Sequence, residues 1–414
     1  MSVTKIAVMG FGVVGSGTVE LFYKNKDLIE KRCGHEMDIK YILDLRDFPE
    51  SPFADKLTKN FDDILNDDEV KVVCELMGGK TFAYDYTKRL LEKGKSVVTS
   101  NKELVAAYGD ELIATAKANG CNYFFEASVG GGIPIIRPLH QCLAGNKVEK
   151  IAGILNGTTN FILTKMIYDQ LSFDDALKMA QELGYAERDP SADVDGFDPC
   201  RKLCILGSLA FGKHIYPEYI HCSGIRTISL DDVEYAANAG YNIKLIGLIE
   251  DTGDGLVATV CPRLVPVSNP LASVNDVNNA ILVTCDALGD ALFIGKGAGK
   301  FPTASAVVGD IVDAVKHQNA DICSLTWQPS NDNSFIKHYK QDKVRVYVRI
   351  QATNADDLKN YITNLFGFVD FIPRKYRSSD ELAFITPDIV ETEIDKSLAL
   401  LAEKATVKKK IRLL

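Results

Sequence analysis

Lys5-Ile-Ala-Val-Met-Gly-Phe-Gly-Val-Val-Gly15 is the stretch on which the fold turns. A short apolar strand, residues 6–9, runs straight into Gly10, Phe11, Gly12, Val13, Val14 and Gly15, and an amphipathic pattern continues from 13 to about 31. Glycines at the first, third and sixth positions permit a tight turn and a close backbone approach. The N-terminus of the helix behind them favours the charge of a dinucleotide pyrophosphate. A tight turn without any ligand has the same spelling, so the surrounding pattern has to decide between them. Strand-like runs at 39–43, 72–76, 96–99 and 123–125 alternate with helical patterns at 61–65, 84–92 and 103–118. That alternation predicts a parallel sheet of Rossmann type, covered by helices on both faces.

Beyond Pro134 the texture changes to a helix-rich region reaching about Gly212, then strand-like runs at 243–249 and 256–260, which predict a separate α+β domain. Gly295-Lys-Gly-Ala-Gly299 and the helical 304–316 point back to the first domain. The polar run 318–340 reads as a linker. Residues 343–414 then take a βαββαβ order, a small ferredoxin-like module. The expected domains are therefore 1–130 with 295–320, 131–294, a linker at 321–342, and 343–414.

A chain of 414 residues with net charge −9 carries no basic footprint for nucleic acid, and Lys408-Lys-Lys410 reads as a solvated helix end or strand edge. Ten cysteines without a C-x-x-C pair suit a reducing compartment, and six scattered histidines argue against a catalytic zinc. The chain passes from Met1 directly into a strand and holds no apolar run long enough to span a membrane, so a cytoplasmic enzyme is expected.

Two lysines and a group of carboxylates carry the chemistry. Glu187-Arg-Asp-Pro190, Asp193-Val-Asp-Gly-Phe-Asp198 and Pro199-Cys-Arg-Lys202 form the densest polar constellation, and a helix capped by Ser172 with Asp175 and closed by Gly184 leads into it. Asp198 reads as the cap of the next helix with Pro199 at its first position, which puts Lys202 one turn inside. Helix-end potential and the apolar Leu203-Cys-Ile-Leu206 disfavour an ammonium there, whereas the nearby carboxylates favour it. A lysine that loses its proton near neutrality is the base that alcohol oxidation requires. Lys102, in Thr99-Ser-Asn-Lys102, lies at the carboxyl end of a parallel strand, where such sheets present ligand groups. Asp44-Leu-Arg46 offers both an acid for a ribose hydroxyl and an arginine for a 2′-phosphate, which leaves NAD and NADP both open. Glu126-Ala-Ser-Val-Gly-Gly-Gly-Ile-Pro134 is a glycine-rich turn suited to a cation or a hinge.

The run 180–202 resembles the signature segment of homoserine dehydrogenases. Glu75-Leu-Met-Gly-Gly79, Val97-Val-Thr-Ser-Asn-Lys102, Gly130-Gly-Gly-Ile-Pro134, Leu155-Asn-Gly-Thr-Thr-Asn160, and Gly297-Ala-Gly299 with Pro302-Thr303 extend that resemblance in the same order over about 320 residues. It implies reversible, NAD- or NADP-dependent interconversion of L-homoserine and L-aspartate 4-semialdehyde, a step of threonine and methionine biosynthesis. By the same resemblance Lys202 is the acid/base, Lys102 its cationic partner, and Asp193 stands beside Lys202. Glu187, Asp198, Thr158, Tyr185 and Gly157 serve the substrate, and Gly78, Ser100, Asn101, Lys102 and Gly297 join the glycine turn, Asp44 and Arg46 around the cofactor. A monovalent cation, Na⁺, is implied on the carbonyls of Glu126, Val129, Gly131 and Ile133. The region 131–294 becomes a substrate-binding and dimerisation domain within a homodimer or homotetramer. The C-terminal module is similar to an ACT domain, although Thr353-Asn-Ala-Asp-Asp357 lacks the glycine that lets an amino-acid effector approach the backbone. Two other readings stand beside this one: a non-catalytic nucleotide sensor, and a dehydrogenase of another small amino or hydroxy acid.

Overall fold

The computed structural model describes residues 3–318, 327–330, 332–374 and 378–414. It divides into two compact units. One comprises Met1–Val148, Arg201–Pro217 and Cys285–Asn333, and the other Glu149–Cys200, Glu218–Thr284 and Ser334–Leu414.

In the first unit the predicted alternation becomes a sheet of β1 (Thr4–Met9), β2 (Met37–Leu43), β3 (Leu57–Thr58), β4 (Val70–Glu75), β5 (Ser96–Thr99) and β6 (Tyr123–Phe124), in the order β3-β2-β1-β4-β5-β6. Every pairing is parallel. Strand order reverses between β1 and β4, so the crevice beyond their carboxyl ends is where a Rossmann sheet receives its ligand. Ile6, Val8, Val72, Cys74 and Val98 bury one face with Val19 and Phe22 of helix Val13–Lys24 and with Val307 and Ile311 of helix Lys300–Lys316. A Cβ on Gly17 would lie 2.7 Å from Lys300 Cγ, so glycine lets those two helices touch. The predicted helix 13–31 is broken at Asn25 into Val13–Lys24 and Lys26–Cys33.

Of the predicted linker, 321–326 and 331 lie outside the described residues, but Trp327 and Asn333 are packed into the unit rather than strung out. Trp327 is buried, donates from Nε1 to His214 Nδ1 at 3.0 Å, and meets the Phe125 ring edge-on. Asn333 is buried as well, accepting from Tyr216 N–H at 2.8 Å. One indole buries enough apolar surface to hold a segment whose composition is otherwise that of a loop.

In the second unit the strands run Asn278–Cys285, Val148–Ile154, Tyr241–Asp251, Leu256–Pro266, Thr406–Leu413, Val346–Gln351, Glu381–Ile385, Asp370–Phe371. Val148–Ile154 falls in the region expected to be helical. The βαββαβ module is present, but its last strand pairs with both Leu256–Pro266 and Val346–Gln351. That shared ladder makes the module continuous with the rest of its unit. Lys408 to Lys410 lie on that strand where it pairs with Val346–Gln351 alone, so the run sits at a local strand edge as expected, with two of its lysines bonded. Lys409 donates to Thr227 O at 3.1 Å, and Lys410 to Glu391 and Asp395 at 2.6 Å each.

Candidate active site

At the mouth of the parallel sheet the glycines are dictated by contact. Gly10 has φ +94° and a Cβ there would lie 2.7 Å from Leu76 O, while a Cβ on Gly15 would lie 1.9 Å from Gly10 O. Gly12 caps helix Val13–Lys24 with no side-chain bond to the first turn, and only Arg46 comes within 4 Å of where its Cβ would be. Val13 is exposed there and Val14 half-buried. Free first-turn N–H groups beside open space fit a pyrophosphate.

Phe11 is a different matter, because its N–H already donates to Asp44 Oδ2 at 2.8 Å. The same carboxylate accepts from Arg46 N–H and Nε, each at 3.0 Å, and from Nη2 at 2.9 Å. The Arg46 guanidinium, with these N–H donors, holds the Asp44 carboxyl well below the usual range. Asp44 thus ties the glycine turn to an arginine whose head remains exposed.

Across the crevice, β4 ends in Glu75, fully buried. Its Oε2 accepts from Thr99 Oγ1 at 2.7 Å and its Oε1 from Met77 N–H at 3.0 Å. Burial pushes its carboxyl up to about 7. Thr99 Oγ1 also accepts from Asn101 N–H at 2.9 Å, Asn101 Nδ2 donates to Gly79 O at 2.6 Å, and Asn101 Oδ1 caps Leu104 N–H at 3.1 Å. Helix Lys102–Ala118 therefore starts where a chain of hydrogen bonds from Glu75 sets it, with Lys102 as its first residue. Gly78 has no atom within 4 Å of a notional Cβ, leaving room for close approach, and Ser100 is half-buried between Thr99 and Asn101. Glu75 and Thr99 are functional candidates that residue patterns alone did not single out.

The Glu126 to Pro134 turn is held by its own acid. Glu126 Oε1 accepts from the N–H groups of Ile135 and Ile136 at 2.6 and 2.8 Å, and Oε2 from Arg137 N–H at 2.9 Å. Gly130 and Gly131 both have positive φ, and a Cβ on Gly131 would lie 2.5 Å from Gly297 O, which brings Gly297 against this turn. Among the described residues no N–H donates to the carbonyls of Val129, Gly131 or Ile133. Unspent carbonyls on one glycine loop, with the Glu126 carbonyl at its start, fit a hard monovalent cation.

In the second unit, Asn156 organises the carboxylates. Its Nδ2 donates to Asp193 Oδ1 at 2.7 Å and to Asp198 Oδ2 at 2.8 Å, while its Oδ1 caps helix Gly157–Tyr168 through Thr159 N–H. Thr158 Oγ1 donates to Tyr185 O at 2.6 Å, and the Tyr185 ring meets Phe161 at 5.1 Å. A Cβ on Gly157 would lie 2.7 Å from Val277 O. Asp193, Asp198, Thr158, Tyr185 and Gly157 thus share one neighbourhood. Glu187 is exposed, and its carbonyl accepts from Gln181 Nε2.

The cap assignment needs correction. Gly196, at φ +91°, turns the chain and helix Phe197–Phe211 begins at Phe197, so Asp198 lies inside the first turn. Lys202 is then in the second turn, where helix-end potential has largely decayed, and it is buried. In the first unit Arg201 Nη1 meets Glu103 Oε1 at 3.2 Å, joining the two helices that carry Lys202 and Lys102 through the residues next to those lysines. Ser172 does cap helix Phe173–Glu182, accepting from Asp175 N–H at 3.1 Å.

Comparison with known proteins bears on this arrangement. Residues 10–126 match the family described as homoserine dehydrogenase, NAD binding domain, and 134–312 match homoserine dehydrogenase. A homoserine dehydrogenase of Bacillus subtilis (strain 168) is 36% identical over 93% of this chain and 91% of its own length, and one of Pseudomonas aeruginosa is 35% identical over 97% and 96%. The crystal structure of a homoserine dehydrogenase from Thiobacillus denitrificans superposes with TM-score 0.91 at 34% identity, covering 100% of this chain and 99% of that one. A hyperthermophilic archaeal homoserine dehydrogenase in complex with NADPH gives TM-score 0.65 at 30% identity over 76% of this chain and 98% of its own.

Proposed function

The chain belongs to the homoserine dehydrogenase family, and from that premise we propose a division of labour among its residues. The cofactor, NADP or NAD, lies along the turn Gly10 to Gly15 with Asp44 and Arg46 at its adenosine ribose and Gly78, Ser100, Asn101, Lys102 and Gly297 nearer its reactive end. When bound, the nicotinamide supplies the hydride acceptor for alcohol oxidation. Lys202, entering as the neutral amine, accepts the hydroxyl proton of L-homoserine. In the reverse direction its ammonium returns that proton to the alkoxide formed from the aldehyde. Lys102 offsets negative charge on the substrate. Asp193 orients Lys202, and Asp198 and Glu187 take the substrate ammonium, with Thr158, Tyr185 and Gly157 shaping the remainder.

The observation that carries this reading is the Asn156 amide, which fixes Asp193 and Asp198 at 2.7 and 2.8 Å. One buried and one half-buried carboxylate held at defined positions suit a zwitterionic amino acid, and a nucleotide sensor has no task for them. The Lys202→Ala variant should lose about a thousandfold or more in homoserine oxidation while binding the coenzyme as the parent does. Full activity in that variant, or reduction of NAD⁺ or NADP⁺ with malate but none with homoserine, overturns the assignment.

The glycine loop 129–133 is assigned to Na⁺. Residues 1–130 with 295–320 form the nucleotide-binding domain, 131–294 the substrate-binding and dimerisation domain, and 343–414 an ACT-like module. Because Thr353-Asn-Ala-Asp-Asp357 lacks the glycine that lets an amino-acid effector approach the backbone, that module acts in assembly. The assembly is a homodimer or homotetramer in the cytoplasm, which light scattering on the purified chain tests. Among the described residues no helix is long and apolar enough to cross a membrane.

A further inference from the structure

Arg263 lies in the middle of the second unit's sheet, on strand Leu256–Pro266, and only 5% of it is exposed. Its Nη1 donates to Leu413 O at 2.8 Å and its Nη2 to Thr259 Oγ1 at 2.9 Å, but Nε has no partner. Neither acceptor carries a charge, and no carboxylate of the described residues comes within ion-pair distance of this guanidinium. Its neighbours are treated differently: Arg412 pairs with Glu391 at 2.7 Å, Arg345 with Asp370 at 2.8 Å, and Lys150 with Glu250 at 3.9 Å. A buried charge without a close counter-ion is destabilising, and desolvation here lowers the guanidinium pKa.

The same side chain lines a cavity of about 430 Å³ whose walls combine the apolar Leu248, Val257 and Val344 with charged side chains of both signs, among them Glu250 and Glu391, which pair with Lys150 and Arg412. That volume suits a small ligand. A guanidinium with no carboxylate at ion-pair distance among the described residues prefers an oxyanion, and the carboxylate is the planar partner it matches. The aliphatic walls call for a short hydrocarbon tail on that ligand.

We propose that this cavity is a binding site for a small aliphatic carboxylate, with Arg263 as its counter-ion, separate from the residues assigned to homoserine. Occupancy supplies the missing negative charge, so it stabilises the folded chain by mass action.

The test is thermal unfolding and calorimetric titration of the full chain with sodium isobutyrate, inorganic phosphate and isobutylamine hydrochloride at matched ionic strength. Isobutyrate should bind saturably and raise the unfolding midpoint by roughly 2 °C or more at a hundredfold excess over its dissociation constant, and isobutylamine should do neither. Arg263→Met should abolish the isobutyrate effect and leave the ligand-free chain as stable as the parent or more so, because an apolar side chain replaces an uncompensated charge. Val257→Phe fills the cavity while keeping the arginine, and it too should abolish binding. Phosphate binding that displaces isobutyrate identifies a general oxyanion site and overturns the carboxylate assignment. Silence with isobutyrate in the parent chain, or unchanged binding in Arg263→Met, removes the site altogether. Homoserine turnover is a separate readout, so failure here leaves the roles of Lys202 and Lys102 standing.

Discussion

Glu75 and Glu126 are both carboxyl groups buried in the first unit, and they are held in opposite ways. Glu126 accepts three backbone N–H groups and lies 3.6 Å from Arg137 Nε. Glu75 accepts one backbone N–H and a hydroxyl, with the Asn101 side chain also favouring its charged form, and desolvation outweighs them. Burial alone therefore does not define the role of an acid. A carboxylate saturated by the backbone anchors the turn in which it sits, whereas one that is under-compensated at the carboxyl end of a central strand transmits position to the helix bearing Lys102 and is sensitive to pH.

The largest effect should come from Glu126→Ala. Removing the acid leaves the N–H groups of Ile135, Ile136 and Arg137 without their acceptor in a buried place, each costing about 1–3 kcal/mol. A loss of about 4 kcal/mol or more is expected in chemical denaturation. A loss below 1 kcal/mol would erase the distinction between the two acids from the side of Glu126.

Glu75→Gln comes next and separates them by pH. The folded chain keeps the Glu75 proton up to about pH 7, whereas the unfolded chain releases it near 4.5. Raising the pH across that window therefore favours the unfolded state, and the contribution of the protonated acid, complete below 4.5, is lost by about pH 7. The amide has no proton to lose, so its stability relative to the parent should rise by roughly 3 kcal/mol at most from pH 4.5 to 8. Asp310, also pushed up to about 7 by burial, titrates in both proteins and cancels in the difference. Parallel stability curves for the two proteins would show that Glu75 is charged throughout.

Much of this region was legible before any coordinates. The turn from Gly10 to Gly15 carries its own context, since glycine spacing, preceding strand and following helix are all local. Lys102 and Asn101 were legible as the end of a parallel strand. Glu75 was not, because a single acid closing an apolar strand looks like the point where the strand meets water, and its partner Thr99 is 24 residues away. The Asn156 contact with Asp193 and Asp198 spans 37 and 42 residues and was hidden for the same reason. Lys202 was found on the correct helix but one turn too near its start, because aspartate before proline is a strong cap signal and Gly196 overrode it.

Asn101→Ala sharpens the other end of the Glu75 chain. It removes the cap on Leu104 N–H and the bond to Gly79 O, a change of about 1 kcal/mol, and it frays the turn in which Lys102 stands. Homoserine turnover should fall further than thermal stability does. Equal turnover in the variant would mean that Lys102 is placed by other contacts and that Glu75 is only a buried acid.

Arg46→Ala should perturb the fold least, because the arginine is 63% exposed on its side chain and its pairing with Asp44 is open to solvent. Its effect is on coenzyme choice. In the parent chain Asp44 is spent on Phe11 N–H and on Arg46, and the guanidinium stands beside the open space at Gly12, an arrangement that favours a 2′-phosphate over a free ribose hydroxyl. Without the arginine, KM for NADP⁺ should rise about tenfold or more. KM for NAD⁺ should hold or fall, because the released Asp44 oxygen can accept the hydroxyl. An unchanged ratio of the two would show that the clamp only braces the glycine turn, which would make Asp44 a third structural acid, grouped with Glu126 and not with Glu75.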